Sequence, residues 1–174
     1  MSTTLPLESG FSAIEDCNAK VLILGSMPSV QSLKDQQYYA HPRNAFWPIM
    51  SELFDIDKNS VYEQRCNILI RNHIAVWDAI KACQRQGSLD QNIDATSMIA
   101  NDFNLFFQHH VEIKHLFFNG TKAEQVFNRH VLPSLNEQHT HITRLRLPST
   151  SPAHAAMTFE QKLTVWQDEI TNSQ

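Results

Sequence analysis

Glycine is scarce in this sequence, with 4 in 174 residues, and no Gly-x-Gly-x-x-Gly or Gly-x-x-x-x-Gly-Lys-Ser/Thr segment occurs. That removes the loops with which dinucleotide- and nucleotide-binding proteins cradle phosphates. His-Glu-x-x-His and Gly-x-Ser-x-Gly are missing too, so neither a zinc-protease helix nor a hydrolase nucleophile elbow is encoded. Cysteine is limited to Cys17, Cys66 and Cys83, far apart and without a Cys-x-x-Cys pair. An odd, scattered set fits a reducing compartment and argues against a zinc ribbon or a four-cysteine iron–sulfur cluster. No apolar run approaches the ~20 residues of a membrane span. The start, Met1 to Gly10, lacks the basic and apolar regions of a signal peptide. The expectation is a cytoplasmic protein with no membrane partner. The formal charge of -4 speaks against tight, non-specific nucleic-acid binding but leaves room for a local basic face.

What is present is a globular composition, 42% hydrophobic and 18% charged. Residues 1–174 are expected to form one domain, able to bury roughly 70% of the unfolded surface without metal or disulfide support. Val21 to Leu24 is a short apolar run ending at Gly25 and reads as a strand buried on both faces. Gln31 to Arg43 has no clear period and is expected to be a long, functional loop. Asn44 to Phe54 has helical spacing, with Pro48 in its first turn. Ser60 with Glu63 suggests a capping box for a helix running to about Arg71. His73–Asp78, Ile113–Phe118 and Ile142–Leu147 read as further strands. Asp94–His110, a segment from Thr121, and one capped by Thr158 read as helices. Strands alternating with helices predict an α/β fold, a three-layer α/β/α sandwich around a central, mostly parallel four-stranded sheet. Ligands bind such sheets beyond the carboxyl ends of the strands, here Gly25–Ser29, Asp78, Asn119-Gly120 and Leu147–Ser151.

Around those ends the informative stretch is Gly25-Ser-Met-Pro-Ser-Val-Gln-Ser-Leu33 followed by Gln37-Tyr-Tyr-Ala-His-Pro-Arg-Asn-Ala-Phe-Trp47. Gly25 lets the backbone approach a ligand closely. Tyr38, Tyr39, His41, Phe46 and Trp47 offer flat faces for a base, although Trp47 also fits a helix core. Lys34, His41 and Arg43 offer positive charge to a phosphate. Asn44 is a neutral amide that can hold a water or a base edge. His139 and His141, two apart, would share a strand face, but no third metal ligand accompanies them and surface histidines are the simpler reading. No metal or other cofactor is expected.

This stretch resembles the first motif of the uracil-DNA glycosylase superfamily. It is most similar to the hypoxanthine-DNA (deoxyinosine) glycosylase branch, whose pattern runs GSxPSxxSL and then YYxHPRNxFW. Leu147-Pro-Ser-Thr-Ser-Pro-Ala153 resembles that branch's second motif, and Gly87–Ile93 and Phe118–Lys122 resemble its intervening segments. The wider superfamily often has Asp or Asn where Met27 stands and His where Leu147 stands. The deoxyinosine branch shares this departure, and the resemblance puts the catalytic amide on Asn44.

The reaction the resemblance implies is hydrolysis of an N-glycosidic bond after the damaged nucleotide is flipped from duplex DNA. Asn44 would orient the attacking water toward an electron-poor sugar. Backbone N–H groups from Ser26 to Ser29 would stabilise the leaving base. Gly25, Ser26, Met27, Tyr39, Phe46, Asp78 and Asn119 are the expected base-site residues, with Tyr39 or Phe46 stacking. Asp78 either reads the base edge, favours the cationic sugar, or caps a turn. Ser29, Lys34, His41, Arg43, Ser149, Ser151 and His154 are the expected DNA contacts, with His154 or Met157 filling the gap in the stack. The protein is expected to act as a monomer. Rival readings are a mismatch-directed uracil or thymine glycosylase, a DNA-binding member that has lost catalysis, and an unrelated α/β enzyme of phosphorylated metabolites.

Overall fold

The structure, a computed structural model, describes residues 4–174. In chain order it contains β1 (Leu7–Ser9), β2 (Val21–Gly25), α1 (Val30–Asp35), α2 (Phe46–Phe54), α3 (Tyr62–Arg71), β3 (Ile74–Asp78), β4 (Ile80–Gln84), β5 (Ile99–Ala100), α4 (Phe103–His109), β6 (His115–Asn119), α5 (Thr121–Val126), β7 (Thr143–Leu147) and α6 (Phe159–Asn172). The main sheet has the order β3-β2-β6-β7, all parallel. It is the four-stranded sheet the sequence predicts.

β2 sits centrally because all five of its residues are buried, as a strand covered on both faces must be. Alternation divides the core. Val21 and Ile23 pack with Phe46, Trp47, Ile49, Leu69 and Trp166 from α2, α3 and α6. Leu22 and Leu24 pack with Phe103, Phe107, Ala123 and Phe127 from α4, α5 and the π turn after it. The result is three layers. α6 is started by a full capping box: the Thr158 hydroxyl accepts from Gln161 N at 3.2 Å, and Gln161 Oε1 accepts from Thr158 N at 2.9 Å.

Several local expectations change. A second, antiparallel sheet, β1-β4-β5, is added; β4 follows β3 after only Ala79, too soon to read as a separate strand. The expected helix from Asp94 to His110 is confined to α4. The Asp94 carboxylate accepts from both the Thr96 amide and hydroxyl, an Asx turn that competes with helix. Asp102 caps α4 instead, accepting from Leu105 N at 3.0 Å. The loop from Gln31 contains a helical turn, α1, because Ser29 caps it by accepting from Ser32 N. The N-cap of α3 is Val61 rather than Ser60. Valine has no acceptor, so only the Gln64 half of a capping box exists. His139 is buried at the end of a 3-10 turn and His141 is exposed beyond it, so they do not share a strand face.

Candidate active site

The parallel register brings the carboxyl ends of the strands together. Gly25 pairs with Asp78, and Asn119 with Leu147. Gly25 is required by its neighbours: a Cβ there would lie 2.4 Å from Asp78 Oδ1 and 3.0 Å from the Tyr39 hydroxyl. The missing side chain lets a carboxyl and a phenol converge over bare backbone.

Tyr39 adopts a left-handed backbone, φ 55°, which non-glycine residues hold only when their surroundings over-determine it. Here they do. Tyr38 O accepts from Trp47 Nε1 at 2.9 Å, Tyr38 N donates to the Tyr62 hydroxyl at 3.0 Å, and Ala40 N donates to Ser32 Oγ at 3.1 Å. The Tyr39 ring stacks on Phe46, centroids 4.1 Å apart at 24°. Phe46 is fully buried and meets Trp47 and Trp166 edge-on. The Phe46 ring therefore lies fully buried behind the half-buried Tyr39.

The Tyr39 hydroxyl and Asp78 Oδ2 are both buried without a hydrogen-bond partner. Each such group costs on the order of 1–3 kcal/mol, and side-by-side orphans mark a place where a ligand completes the bonding. Burial pushes the Asp78 carboxyl up to about 7; the negative charge of Asp90 adds to this and Arg85 opposes it. Burial, then Asp78, raises the Tyr39 hydroxyl as well, so it is a neutral donor at physiological pH.

The first-motif loop is stitched to the turn after β7. Ala45 N donates to Thr150 O at 2.9 Å, and Thr150 is buried. Asn44, half-buried, accepts from Phe46 N through Oδ1 at 2.9 Å, which fixes the orientation of its amide. Its Nδ2 and a second lone pair on Oδ1 stay available for a water.

Other expected residues have structural duties. Ser26 lies at the site and donates to Asp90 Oδ1 at 2.7 Å. Met27 turns its side chain into the core on the Leu22 and Leu24 face, so only its backbone borders the site. Ser29 is the cap of α1 and also donates to Ser32 Oγ. Asn119 bonds Thr150 through both Nδ2 and Oδ1 and so braces the turn, and its second N–H and second lone pair stay available at the strand end. Lys34 and Arg43 are exposed, while His41 is half-buried and accepts from Arg43 N through Nδ1. Ser149 and Ser151 accept from the amides of Ser151 and Ala153. Ser149 packs so closely on Gly120, φ 94°, that a Cβ there would lie 2.9 Å from Ser149 Cβ. His154 and Met157 are half-buried on the segment before α6.

Sequence reasoning missed Asp90, Arg85, Thr150 and Lys162. Lys162 lies in register with Trp166 and Ile170 on the buried stripe of α6; its Nζ reaches Ser151 O at 3.5 Å, and a lysine on an apolar stripe was the available signal. A surface cleft of about 430 Å³ lies beside Phe11, Trp77, Phe106 and His110. It holds none of the expected site residues. The buried, unpartnered Tyr39 hydroxyl and Asp78 Oδ2 lie instead at the strand ends. No group of metal-ligating side chains occurs among the described residues, and no helix there is long and apolar enough to cross a membrane.

An α/β sandwich with an aromatic-walled, polar-floored site beyond its parallel strands is suited to holding a flat heterocycle while water attacks beside it. Residues 11–170 match the family described as the uracil DNA glycosylase superfamily. The chain is 36% identical over 118 residues to a hypoxanthine DNA glycosylase of Methanosarcina acetivorans, covering 67% of this chain and 73% of that protein. A protein of the same description from Methanosarcina barkeri is 36% identical over 117 residues, with the same coverage. A solution NMR structure of a candidate uracil DNA glycosylase from Methanosarcina acetivorans superimposes with a TM-score of 0.79 at 29% identity, covering 97% of this chain and 99% of that one. The chain belongs to the uracil DNA glycosylase superfamily and is a DNA glycosylase, a hydrolase of the N-glycosidic bond of deaminated bases.

Proposed function

We propose that this glycosylase excises hypoxanthine from deoxyinosine in double-stranded DNA. The observation that carries the reading is the pair of buried, unpartnered groups, Asp78 Oδ2 and the Tyr39 hydroxyl, beside the face of the Tyr39 ring. The names of the two Methanosarcina relatives support it. In this reading the flipped base lies against Tyr39 with its polar edge toward Asp78. Asn44 holds the water behind C1′ through Nδ2 and the free lone pair of Oδ1. The amide cannot deprotonate water; it orients it, and the developing cationic sugar makes a weak nucleophile sufficient. Backbone N–H groups of the Ser26–Ser29 loop take up charge on the leaving base.

Lys34, Arg43, Ser149, Ser151 and His154 face the DNA backbone in this proposal. All assigned residues come from one chain, so the reading needs no second subunit, no metal and no cofactor. It places the protein in the cytoplasm, with access to the nucleoid. The test is incubation with duplexes carrying one deoxyinosine, one deoxyuridine or one G·T mismatch, followed by alkaline cleavage. Faster strand breakage at deoxyinosine is expected. Faster breakage at uracil or mismatched thymine would replace the substrate, and none at any lesion would leave a DNA-binding member without catalysis.

A further inference from the structure

Asp90 reaches the site from a 3-10 turn between β4 and β5. Its Oδ1 accepts the Ser26 hydroxyl at 2.7 Å, one residue beyond the Gly25 that faces Asp78. Two carboxyl groups therefore flank the loop under the base site. The cation nearest them in role is Arg85, whose side chain is fully buried. Its Nη2 donates to Glu8 Oε2 at 3.2 Å and to the Pro28 carbonyl, and its Nη1 reaches Ser88 O at 3.5 Å. Arg85 thus ties β1, the Ser26–Ser29 loop and the Ser88–Asp90 segment together while Glu8 already balances its charge.

One partly neutralised guanidinium does not support two buried carboxylates. The hydrogen bonds decide which carboxyl keeps the charge. Asp90 receives a donor from Ser26, which favours its ionised form. Asp78 Oδ2 receives none.

Resting on the glycosylase reading above, we propose that Asp78 and Asp90 are an unequal carboxyl pair in which Asp90 carries the charge and Asp78 the proton. The Asp78 O–H then selects the carbonyl oxygen that deamination leaves in place of an amino group. Deamination replaces an amino donor with a carbonyl acceptor at the same ring position. A protonated Oδ2 donates to that oxygen and meets the amino group of adenine or cytosine donor to donor; a carboxylate would reverse the preference. Asp90 and Arg85 are positioning residues here, acting through Asp78.

Every group around the pair enters the balance. Asp90 raises Asp78 and Arg85 lowers it, while the phenols of Tyr38, Tyr39 and Tyr62, which the charge of Asp78 pushes up, stay neutral. Burial raises Asp90 too, opposed first by the Ser26 hydrogen bond and then by Arg85 and Lys122.

The test is the pH dependence of single-turnover excision from deoxyinosine and deoxyuridine duplexes. Wild type should lose rate on the alkaline side of about 7. Asp90→Asn keeps the acceptor for Ser26 and removes the charge, so the limb should move to lower pH, by about one unit for each ~1.4 kcal/mol of lost repulsion. Asp78→Asn carries a permanent N–H donor, so its rate should no longer fall across that limb. An unmoved limb in Asp90→Asn, an unchanged limb in Asp78→Asn, or a folded Asp78→Asn with no excision would each overturn the proposal. Carbon-13 titration of the aspartate carboxyls in the wild-type protein reads the same split without a variant: two separated steps, the upper on Asp78. If deoxyinosine is untouched and deoxyuridine is cut, the hypoxanthine reading fails while the pair is still judged on the uracil profile.

Discussion

Asn119 and Thr150 hold each other by two hydrogen bonds. Asn119 Nδ2 donates to Thr150 Oγ1, and Thr150 N donates to Asn119 Oδ1, both at 2.9 Å. Thr150 in turn accepts from Ala45 N, the neighbour of Asn44. The end of β6, the turn after β7 and the loop bearing the amide thus form one connected path. Asn119→Ala should cost on the order of 1–3 kcal/mol, a fall in Tm of ~2–4 °C per kcal/mol at this chain length. It should also slow excision, because Thr150 would no longer hold Ala45 in place. Thermal unfolding and single-turnover rates separate the effects; a lowered Tm with an unchanged rate would make the clasp purely structural.

Asn44→Ala should lose most base excision, on the order of 10²-fold or more, as expected when a group that places a reactant is deleted. It also deletes the acceptor for Phe46 N, so a stability loss of about 1 kcal/mol accompanies it. That is too small to unfold the protein. A folded variant excising at the wild-type rate would remove Asn44 from the mechanism.

What could be read in advance divides along the range of the interactions. The buried strand β2 and the cap at Thr158 are written in adjacent residues, so they were legible. The extent of α4 was not: the apolar spacing from Ile99 to Phe107 suits a helix, but Asp94 is captured by Thr96 and the Ile99–Ala100 pair by β4. At the strand ends, Gly25, Asn44 and Asp78 stand out in the sequence, and the fold sets Gly25 opposite Asp78. The roles of Phe46, Met27 and Asn119 could not, because they depend on which partner across the fold takes up each side chain. Asp90, inside the Gly87–Ile93 segment, and Arg85 were given no role for the same reason. Their partners, Ser26 and Glu8, lie 64 and 77 residues away in the chain, and no local pattern records such a pairing.

The buried Asp78 carboxyl should leave a mark on stability. Its ordinary value is 3.8 and its folded value about 7. Between those values the folded protein keeps a proton that the unfolded chain has released, so this group lowers stability as pH rises from about 4 to about 7. Above that range the full penalty remains, and below it there is none. Asp78→Asn removes the ionisation and should be more stable than wild type at pH 8, by on the order of 1–4 kcal/mol. The difference should shrink as the pH falls. Urea unfolding of both proteins at pH 5 and pH 8 measures it. A gap that does not change with pH would mean that Asp78 is not perturbed as described.

Arg43 adjoins Asn44, is exposed, and forms no ion pair among the described residues. Bracing by Asp35 is not found among the described ion pairs, and Asp78 Oδ2 has no partner at all. An exposed guanidinium on the rim of a base site has a phosphate as its natural counterpart. Arg43→Ala should therefore weaken binding to every sequence about equally and reduce the slope of log affinity against log salt by about one, the change for one lost phosphate contact. The fold should be unaffected, because the side chain supports nothing within the protein. Binding of a duplex carrying a non-cleavable deoxyinosine analogue, measured at several salt concentrations for both proteins, decides the matter. An unchanged slope with reduced turnover would assign Arg43 to shaping the Asn44 loop, and the phosphate contact would be abandoned.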